Sequence, residues 1–516
     1  MRARTAAAYA LSFSFFICLG AAANHFWITY RWYHCVSLIF DGSLLLFAFI
    51  AARVLSRSSP VPTGGPRAAG WPAKTVLALG AATAVLYAGF YLYDRVNLPD
   101  GPDIVLITIE TLRADHLGCY GYERATSPSI DGVAEEGVLF ANAFVPRGLT
   151  WPSLSSIMTS LYPVNHGVRN NGQMLYPSVI SMAEVLKNEG YRCGAFLAHG
   201  VGADWRGFDR LVEAAYQDEL ITEEAVEWLK ENRDDKLFLW MHYFEPHKPY
   251  QPPEPYDRVF DPDYDGVMNG SAEQLKGIYL NKMVLEQEDY EHIISLYDGS
   301  ILAVDDRVKR VLDALAELGL AEKSLLIISA DHGEDLYQHN FYFNHSASIY
   351  DSSLHVPLII RLPGADEQKG IVEEVVESID IAPTILDLAE VSVPDQFEGS
   401  SLLPLIYADD ASGDFGYAFS EWEDKILSVR TDRHRYIYNP REFHPICGAG
   451  ATYDTYPIER EELYDCAKDA AESRNIVSED PETVERLMGV LLEWENFPSW
   501  SGGKGMSVRE APEHVK

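Results

Sequence analysis

From Asp103 to Arg361 the chain repeats one pattern: a short apolar run, then a longer stretch with apolar residues three or four positions apart. Asp103–Ile109 (DIVLITI) is a β-branched run of the kind that forms a strand buried on both faces. Arg192–Leu197, Lys236–Met241, Ser324–Ser329 and Val356–Arg361 repeat it. Between these runs the spacing predicts helices. Ser181-Met-Ala-Glu184 is a capping-box pattern, and Gly190 closes the helix it opens. Asp289–Leu318 holds helical spacing up to Gly319. Alternation of this kind predicts an α/β fold, with a largely parallel central sheet and helices on both faces. After about residue 400 the pattern changes. Short strands at Gly416–Trp422, Ile426–Arg430 and Arg435–Tyr438 lead to a helix that Asp480 caps and Pro481 begins, so a small antiparallel α+β subdomain is expected there.

The first hundred residues follow another rule. Thr5–Ala23, Cys35–Ala52 and Thr75–Tyr93 each approach the ~20 apolar residues that cross a bilayer, and Asp41 is the only charge inside them. Arg2, Arg4 and the linker with Arg53, Arg57, Arg67 and Lys74 mark the cytoplasmic side, which delivers the chain beyond residue 95 to the outside. The first stretch also fits a cleavable signal peptide, with Arg2/Arg4 ahead of it and Ala21–Ala23 at its end. Either way the body ends outside. The expected organisation is a membrane anchor of three transmembrane helices over 1–95, a catalytic domain over 96–400, and a C-terminal subdomain and tail over 401–516. This describes a multi-pass membrane protein with an extracytoplasmic body, in contact with membrane lipid.

Charge sharpens that division. The chain carries 77 Asp+Glu against 41 Lys+Arg, a formal −36. Residues 1–95 hold eight basic and two acidic side chains, which leaves a body at −42. A general nucleic-acid partner is excluded by the missing basic face. Adaptation to high salt and an ordinary acidic secreted domain both fit, and composition leaves that choice open. Six cysteines in 516 residues do not form a disulfide framework.

In open α/β sheets, functional residues gather at the carboxyl ends of strands. The first strand runs into Glu110-Thr111, and the strand at 325–330 runs into Asp331-His332-Gly333-Glu334. Carboxylates with one imidazole suit a divalent cation. Thr150-Trp-Pro-Ser-Leu-Ser-Ser156 offers a hydroxyl that such a cation would activate. His242 and His247 lie in HYFEPHKPY, and His345 in FNHSASIYDSS. Any one of these alone reads better as a structural residue. Together, at strand ends and their loops, they predict a common cleft.

IVLITIETLRADHLGCYGYERATSPSIDGVAEEGVLFANAFV, TWPSLSSIMTSLYPVNHG, FLWMHYFEPHKPY, LLIISADHGEDLYQH and HVPLIIRLPG resemble the sulfatase family of the alkaline phosphatase superfamily, in order, from residue 103 to about 495. The ending RYIYNP…EELYDCAKDAAESRNIV is similar to that family's C-terminal subdomain. The resemblance implies an alkaline-phosphatase-like sheet and one divalent metal ion, Ca²⁺ or Mn²⁺ foremost and Zn²⁺ third. It implies Glu110, Thr111, Asp331 and His332 as ligands, Thr150 as nucleophile, and His247 and His345 as groups that contact the ester or protonate its leaving group. The implied substrate is an anionic ester, a phospho- or sulfo-lipid or glycan.

Three departures matter. Glu110 stands where the family has aspartate, and Leu154 where sulfatases have an arginine beside the nucleophile. Thr150 stands where they have a cysteine or serine matured to formylglycine. Oxidising threonine gives a ketone instead of an aldehyde, so phosphoester chemistry is expected over sulfate-ester chemistry. The resemblance also extends to membrane-anchored transferases with threonine nucleophiles, so hydrolysis and transfer are both open. The alternative expectation is an inactive sulfatase-like domain that binds an anionic glycan or lipid headgroup.

Overall fold

The computed structural model describes residues 101–495 except 200–204, 280–282, 284, 341–342, 346–347, 365–367, 408–414, 424 and 443–457. The three spans expected between residues 5 and 93 lie outside the described residues. Among the described residues, no helix is long and apolar enough to cross a membrane.

Eight strands form the main sheet: β1 (Asp103–Ile109), β2 (Val138–Phe144), β3 (Arg192–Leu197), β4 (Arg210–Glu213), β5 (Leu237–Tyr243), β6 (Ser324–Ala330), β7 (His355–Arg361) and β8 (Gly370–Glu377). Their order is β4-β3-β5-β1-β6-β7-β2-β8. Every residue of β1, β5 and β6 is buried, as their unbroken apolar runs require of strands covered on both sides. Two groups of helices supply the cover. Pro128–Glu136, Asp218–Asn232 and Gln287–Glu317 pack together, and Thr150–Thr159, Met182–Asn188 and Ile381–Leu388 form the other group. Ser181 and Glu184 close the capping box at Met182–Asn188, and Gly190 just beyond it takes φ +85°.

The expected strands form, with one qualification. β7 runs antiparallel to both β6 and β2, so the sheet is parallel except where β7 interrupts it. Strands β2, β4 and β8 were not expected from the pattern. β4 and β8 are the sheet edges, and most of their residues are exposed, so neither shows a buried strand's apolar run. In β2 the register shifts between Phe140 and Ala143, which breaks the run at Ala141-Asn142.

A second, four-stranded antiparallel sheet has the order β12-β11-β10-β9, built from β9 (Ala418–Trp422), β10 (Ile426–Arg430), β11 (His434–Tyr438) and β12 (Glu461–Asp465). Val484, Leu487, Met488, Leu491 and Trp494 form one stripe of the closing helix Pro481–Glu495, and pack with Leu427, Val429, Tyr436, Tyr438 and Leu463. Asp480 accepts a hydrogen bond from the Thr483 N–H at 3.1 Å, as its expected capping role demands.

Candidate active site

Strand register builds the site. Ile109 at the end of β1 lies level with Tyr243 of β5 and Ala330 of β6. The next residues in two of those strands, Glu110 and Asp331, therefore emerge side by side. Both are fully buried. One step back, Thr108 of β1 pairs with His242 of β5, and Leu197 of β3 pairs with His242 from the other side. His199, two residues past β3, reaches the same centre.

Glu110 divides its two oxygens between two groups of partners. Oε1 accepts the Thr150 hydroxyl at 3.0 Å and lies 3.8 Å from His247 Nε2. Oε2 lies 2.7 Å from His199 Nδ1 and 3.5 Å from His242 Nε2. Asp331 Oδ1 accepts the backbone N–H groups of Thr111 (3.1 Å) and His332 (2.8 Å), which aims Oδ2 inward. Although burial alone would raise Glu110, its histidine neighbours His247, His199 and His242 hold its carboxyl well below the usual range. Burial and the Glu110 charge push Asp331 the other way.

The backbone here is shaped for these contacts. Thr111 is held at φ +54°, a left-handed conformation that costs a threonine on the order of 1–3 kcal/mol. A Cβ on Gly333 would sit 2.2 Å from the Ser352 carbonyl oxygen, so only glycine lets the loop after His332 close.

The donor set fits a cation. His332 Nδ1 lies 2.8 Å from the Gly333 carbonyl oxygen and must donate to it, which leaves Nε2 with a bare lone pair. That lone pair faces Asp331 Oδ2 at 3.3 Å and the Thr150 oxygen at 3.5 Å. Asp331 Oδ2 and the Thr111 hydroxyl are buried without hydrogen-bond partners among the described residues. Lone pairs facing one another in a dry site repel unless a positive charge lies between them. Glu110, Asp331 and His332 lie within bonding reach of one such ion.

Thr150 is the first residue of the helix Thr150–Thr159 and is 1% exposed. A helix N-terminus favours negative charge at that hydroxyl. Leu154, one turn along, is fully buried and places no charge beside it. His247 and His345 stand opposite, with ring centres 5.0 Å apart. The His345 ring lies 4.5 Å from that of His332, and its Nδ1 lies 3.1 Å from Glu334 Oε1. Burial pulls His345 well below its ordinary value and pushes Glu334 up, so it disfavours the charged form of both members of this pair. Burial likewise pulls His247 down to about 4. The Lys248 ammonium donates to the Phe343 carbonyl at 3.2 Å and to Asn344 Oδ1. A cleft of about 710 Å³ opens onto this end of the site, lined among others by Tyr216, Phe244, His247 and Lys248.

All seven residues expected from the sequence thus converge. Sequence reasoning noted His242 and Glu334 without giving them a place, and missed His199. His199 follows a buried strand, as Glu110 and Asp331 do, but a single histidine there marks no motif.

Comparison with known proteins places the chain. Residues 102–391 match the family model described as Sulfatase, and residues 338–493 match the one described as N-sulphoglucosamine sulphohydrolase, C-terminal. A Delta 4,5-hexuronate-2-O-sulfatase of Bacteroides thetaiotaomicron is 26% identical over 428 residues, spanning 74% of this chain and 85% of its own. An arylsulfatase of Clostridium perfringens is also 26% identical, over 76% of this chain and 94% of its own. The crystal structure of a phosphonate monoester hydrolase of Agrobacterium radiobacter superposes with a TM-score of 0.60 at 22% identity, over 76% of this chain and 95% of that one. The chain belongs to the sulfatase family of the alkaline phosphatase superfamily.

Proposed function

We propose that this sulfatase-family chain is a divalent-metal-dependent ester hydrolase or transferase that uses the Thr150 hydroxyl as nucleophile and prefers phosphoesters to sulfate esters. The observation that carries the reading is the position of Thr150. Its hydroxyl lies at a helix N-terminus, 3.0 Å from Glu110 and 3.5 Å from His332, and its chemistry excludes the aldehyde hydrate. Glu110, Asp331 and His332 would hold the ion, with Thr111 at the margin. Such an ion lowers the pKa of a nearby hydroxyl and neutralises charge on the ester oxygens.

The remaining work falls to the chain's own side chains. Glu110 Oε1 orients the Thr150 hydroxyl. His247, whose Nδ1 donates to the Lys248 carbonyl at 2.6 Å, turns Nε2 toward a non-bridging oxygen of the ester and, once protonated there, donates to the growing negative charge. The proton held between Glu334 and His345 passes through the His345 ring to the leaving oxygen. Burial favours the neutral form of both imidazoles, and the charge of an incoming anion draws a proton onto them.

A threonine has one hydroxyl, so its ester intermediate is resolved by a second attack at the central atom, from water or an acceptor alcohol. Phosphorus accepts that second attack readily. The solved phosphonate monoester hydrolase, alongside solved sulfatases, shows that this fold accommodates phosphorus as well as sulfur centres. The cleft beside His247 has room for a glycan or lipid leaving group.

Anchoring belongs to the same proposal: the apolar segments before residue 95 hold the enzyme at a membrane, body outside, near lipid or glycan acceptors. A reporter fused after Lys516 should then be active only in the external compartment. Cytoplasmic activity would overturn the anchoring.

The competing reading, an inactive binder of anionic headgroups, is favoured by Leu154. Turnover decides between them. With Mn²⁺ present, a 4-nitrophenyl phosphodiester should be cleaved with kcat/KM at least ~10²-fold above 4-nitrophenyl sulfate, about 2.7 kcal/mol of differential transition-state binding. A sulfate preference would overturn the phosphoester reading, and no turnover of either ester would leave the binder.

A further inference from the structure

His242 has no part in the chemistry above, yet it is fully buried beside Glu110. Its hydrogen bonds fix which nitrogen carries the proton. The Thr108 hydroxyl donates to the Met241 carbonyl at 3.2 Å and accepts from Trp240 Nε1 at 3.0 Å. With that proton given to Met241, the remaining lone pair of the hydroxyl accepts from His242 Nδ1 at 3.0 Å. The lone pair of His242 therefore sits on Nε2, which has no hydrogen-bond partner among the described residues. That nitrogen points at Glu110 Oε2, 3.5 Å away. This repeats the arrangement of His332 against Asp331, with Nδ1 anchored to an acceptor and a bare Nε2 aimed at a carboxylate oxygen. On the solvent side His199 Nδ1 lies 2.7 Å from the same Oε2, and the three ligand atoms fall within 4.8 Å of one another.

We infer that Glu110, His199 and His242 form a second divalent-metal site, and that Glu110 bridges two ions with one oxygen each. Oε1 faces Thr150 and the Asp331/His332 ion, while Oε2 faces the two histidines. Two imidazoles and one carboxylate oxygen select a transition metal such as Zn²⁺ or Mn²⁺ over Ca²⁺. Binding releases the His199 Nδ1 proton to solvent, and the Nε2 lone pair of His242 is already free. The Thr108–Trp240 contact serves as the outer support that holds the His242 ring in its ligating orientation. The second ion deepens the metal reading above and shares Glu110 with it. It also accounts for the family departure at that position: the longer glutamate arm spans two centres.

The test is metal content and electron paramagnetic resonance of the detergent-solubilised full chain, equilibrated with excess Mn²⁺ and then freed of unbound metal. The wild type should hold two ions per chain and show an exchange-coupled signal. His242→Ala, and independently the more exposed His199→Ala, should each hold one ion with an uncoupled signal. Asp331→Ala should lose the other ion. One ion in the wild type, lost with Asp331→Ala and kept with His242→Ala, would overturn the second site alone. Two ions without coupling, or two that survive both histidine substitutions, would also overturn it. A wild type with no ion would overturn the single-ion reading as well. Should both histidine variants fail to fold, the wild-type count and signal still decide.

Discussion

Glu110 and Asp331 at the end of the main sheet are buried as deeply as Glu472 beside the antiparallel sheet, but the two regions neutralise their acids differently. Asp351 receives Arg430 (Nη2 to Oδ2, 3.1 Å) and Arg435, and Arg435 Nε lies 2.7 Å from Glu472 Oε1. The Glu472 carboxylate also takes the Asp351 N–H at 2.7 Å. Two acids meet two guanidiniums. Against the burial that opposes it, Arg430 and Arg435 hold Asp351 far below the carboxylate range. Around Glu110 the described neighbours are the imidazoles of His199, His242 and His247, and Asp331 faces that of His332. By ligand type alone both regions qualify for a metal, since Asp351, Cys466 and Glu472 also cluster. The difference lies in charge. One cluster carries its own guanidiniums and ties the second sheet to the short helix Asp351–Leu354 before β7, while the other has only imidazoles and calls for a cation from outside.

The comparison can be broken most directly at Thr150. Thr150→Ala should lower kcat by ~10³-fold or more on any accepted ester, above 4 kcal/mol, with metal content unchanged. A variant that kept a tenth of the activity would remove the nucleophile. In the other cluster, Arg435→Met should leave Asp351 and Glu472 uncompensated and cost about 3–5 kcal/mol in chemical denaturation, with or without chelator. A loss below 1 kcal/mol would show that the guanidinium does not hold that region together.

Asp331→Asn sharpens the contrast by changing sign. In chelator the substitution relieves the repulsion with Glu110 and should raise Tm. With Mn²⁺ at about a hundred times its Kd it forfeits about 2.7 kcal/mol of ligand stabilisation and should lower Tm. Equal shifts in both conditions would contradict an ion at Asp331.

Per pH unit the effect is smaller at a third buried group, which uses neither arrangement. His166 is fully buried, accepts the Val168 N–H at 3.1 Å and lies 3.0 Å from the Ser156 hydroxyl, and burial pulls it down to about 3. Its folded value is below the ordinary 6.5, so its contribution is complete above pH 6.5 and is lost as pH falls toward 3. Within that window stability should drop by up to about 1.4 kcal/mol per pH unit. His166→Asn, which keeps an acceptor for Val168, should remove that slope in denaturation curves. An unchanged slope would assign acid sensitivity elsewhere.

The same contrast explains what the sequence revealed. Strands β1, β3, β5, β6 and β7 were legible because burial on both faces demands apolar runs. The edges β4 and β8 were not, because half-exposed strands carry charge, and β12 (EELYD) was not, because its buried Glu462 accepts the Tyr350 and Tyr464 hydroxyls. The reversed direction of β7 leaves no trace in its composition, since side chains alternate identically in parallel and antiparallel strands. Glu110, Asp331, His332 and Thr150 were legible from strand ends and family motifs together. His199 was not, because a lone histidine after a strand carries no pattern of its own. Asp351 lies 79 and 84 residues from its partners Arg430 and Arg435, and the pairing exists only once the two sheets meet.

The central claim is that Thr150 becomes covalently attached to the central atom of an anionic ester. The direct measurement is mass spectrometry of the full chain quenched during turnover of an aryl phosphodiester, followed by peptide mapping. The account predicts a phospho-alkyl or phosphoryl adduct on Thr150, present in the wild type and absent from Thr150→Ala. Steady turnover with no adduct on Thr150, or an adduct on another residue with Thr150→Ala still active, would contradict it.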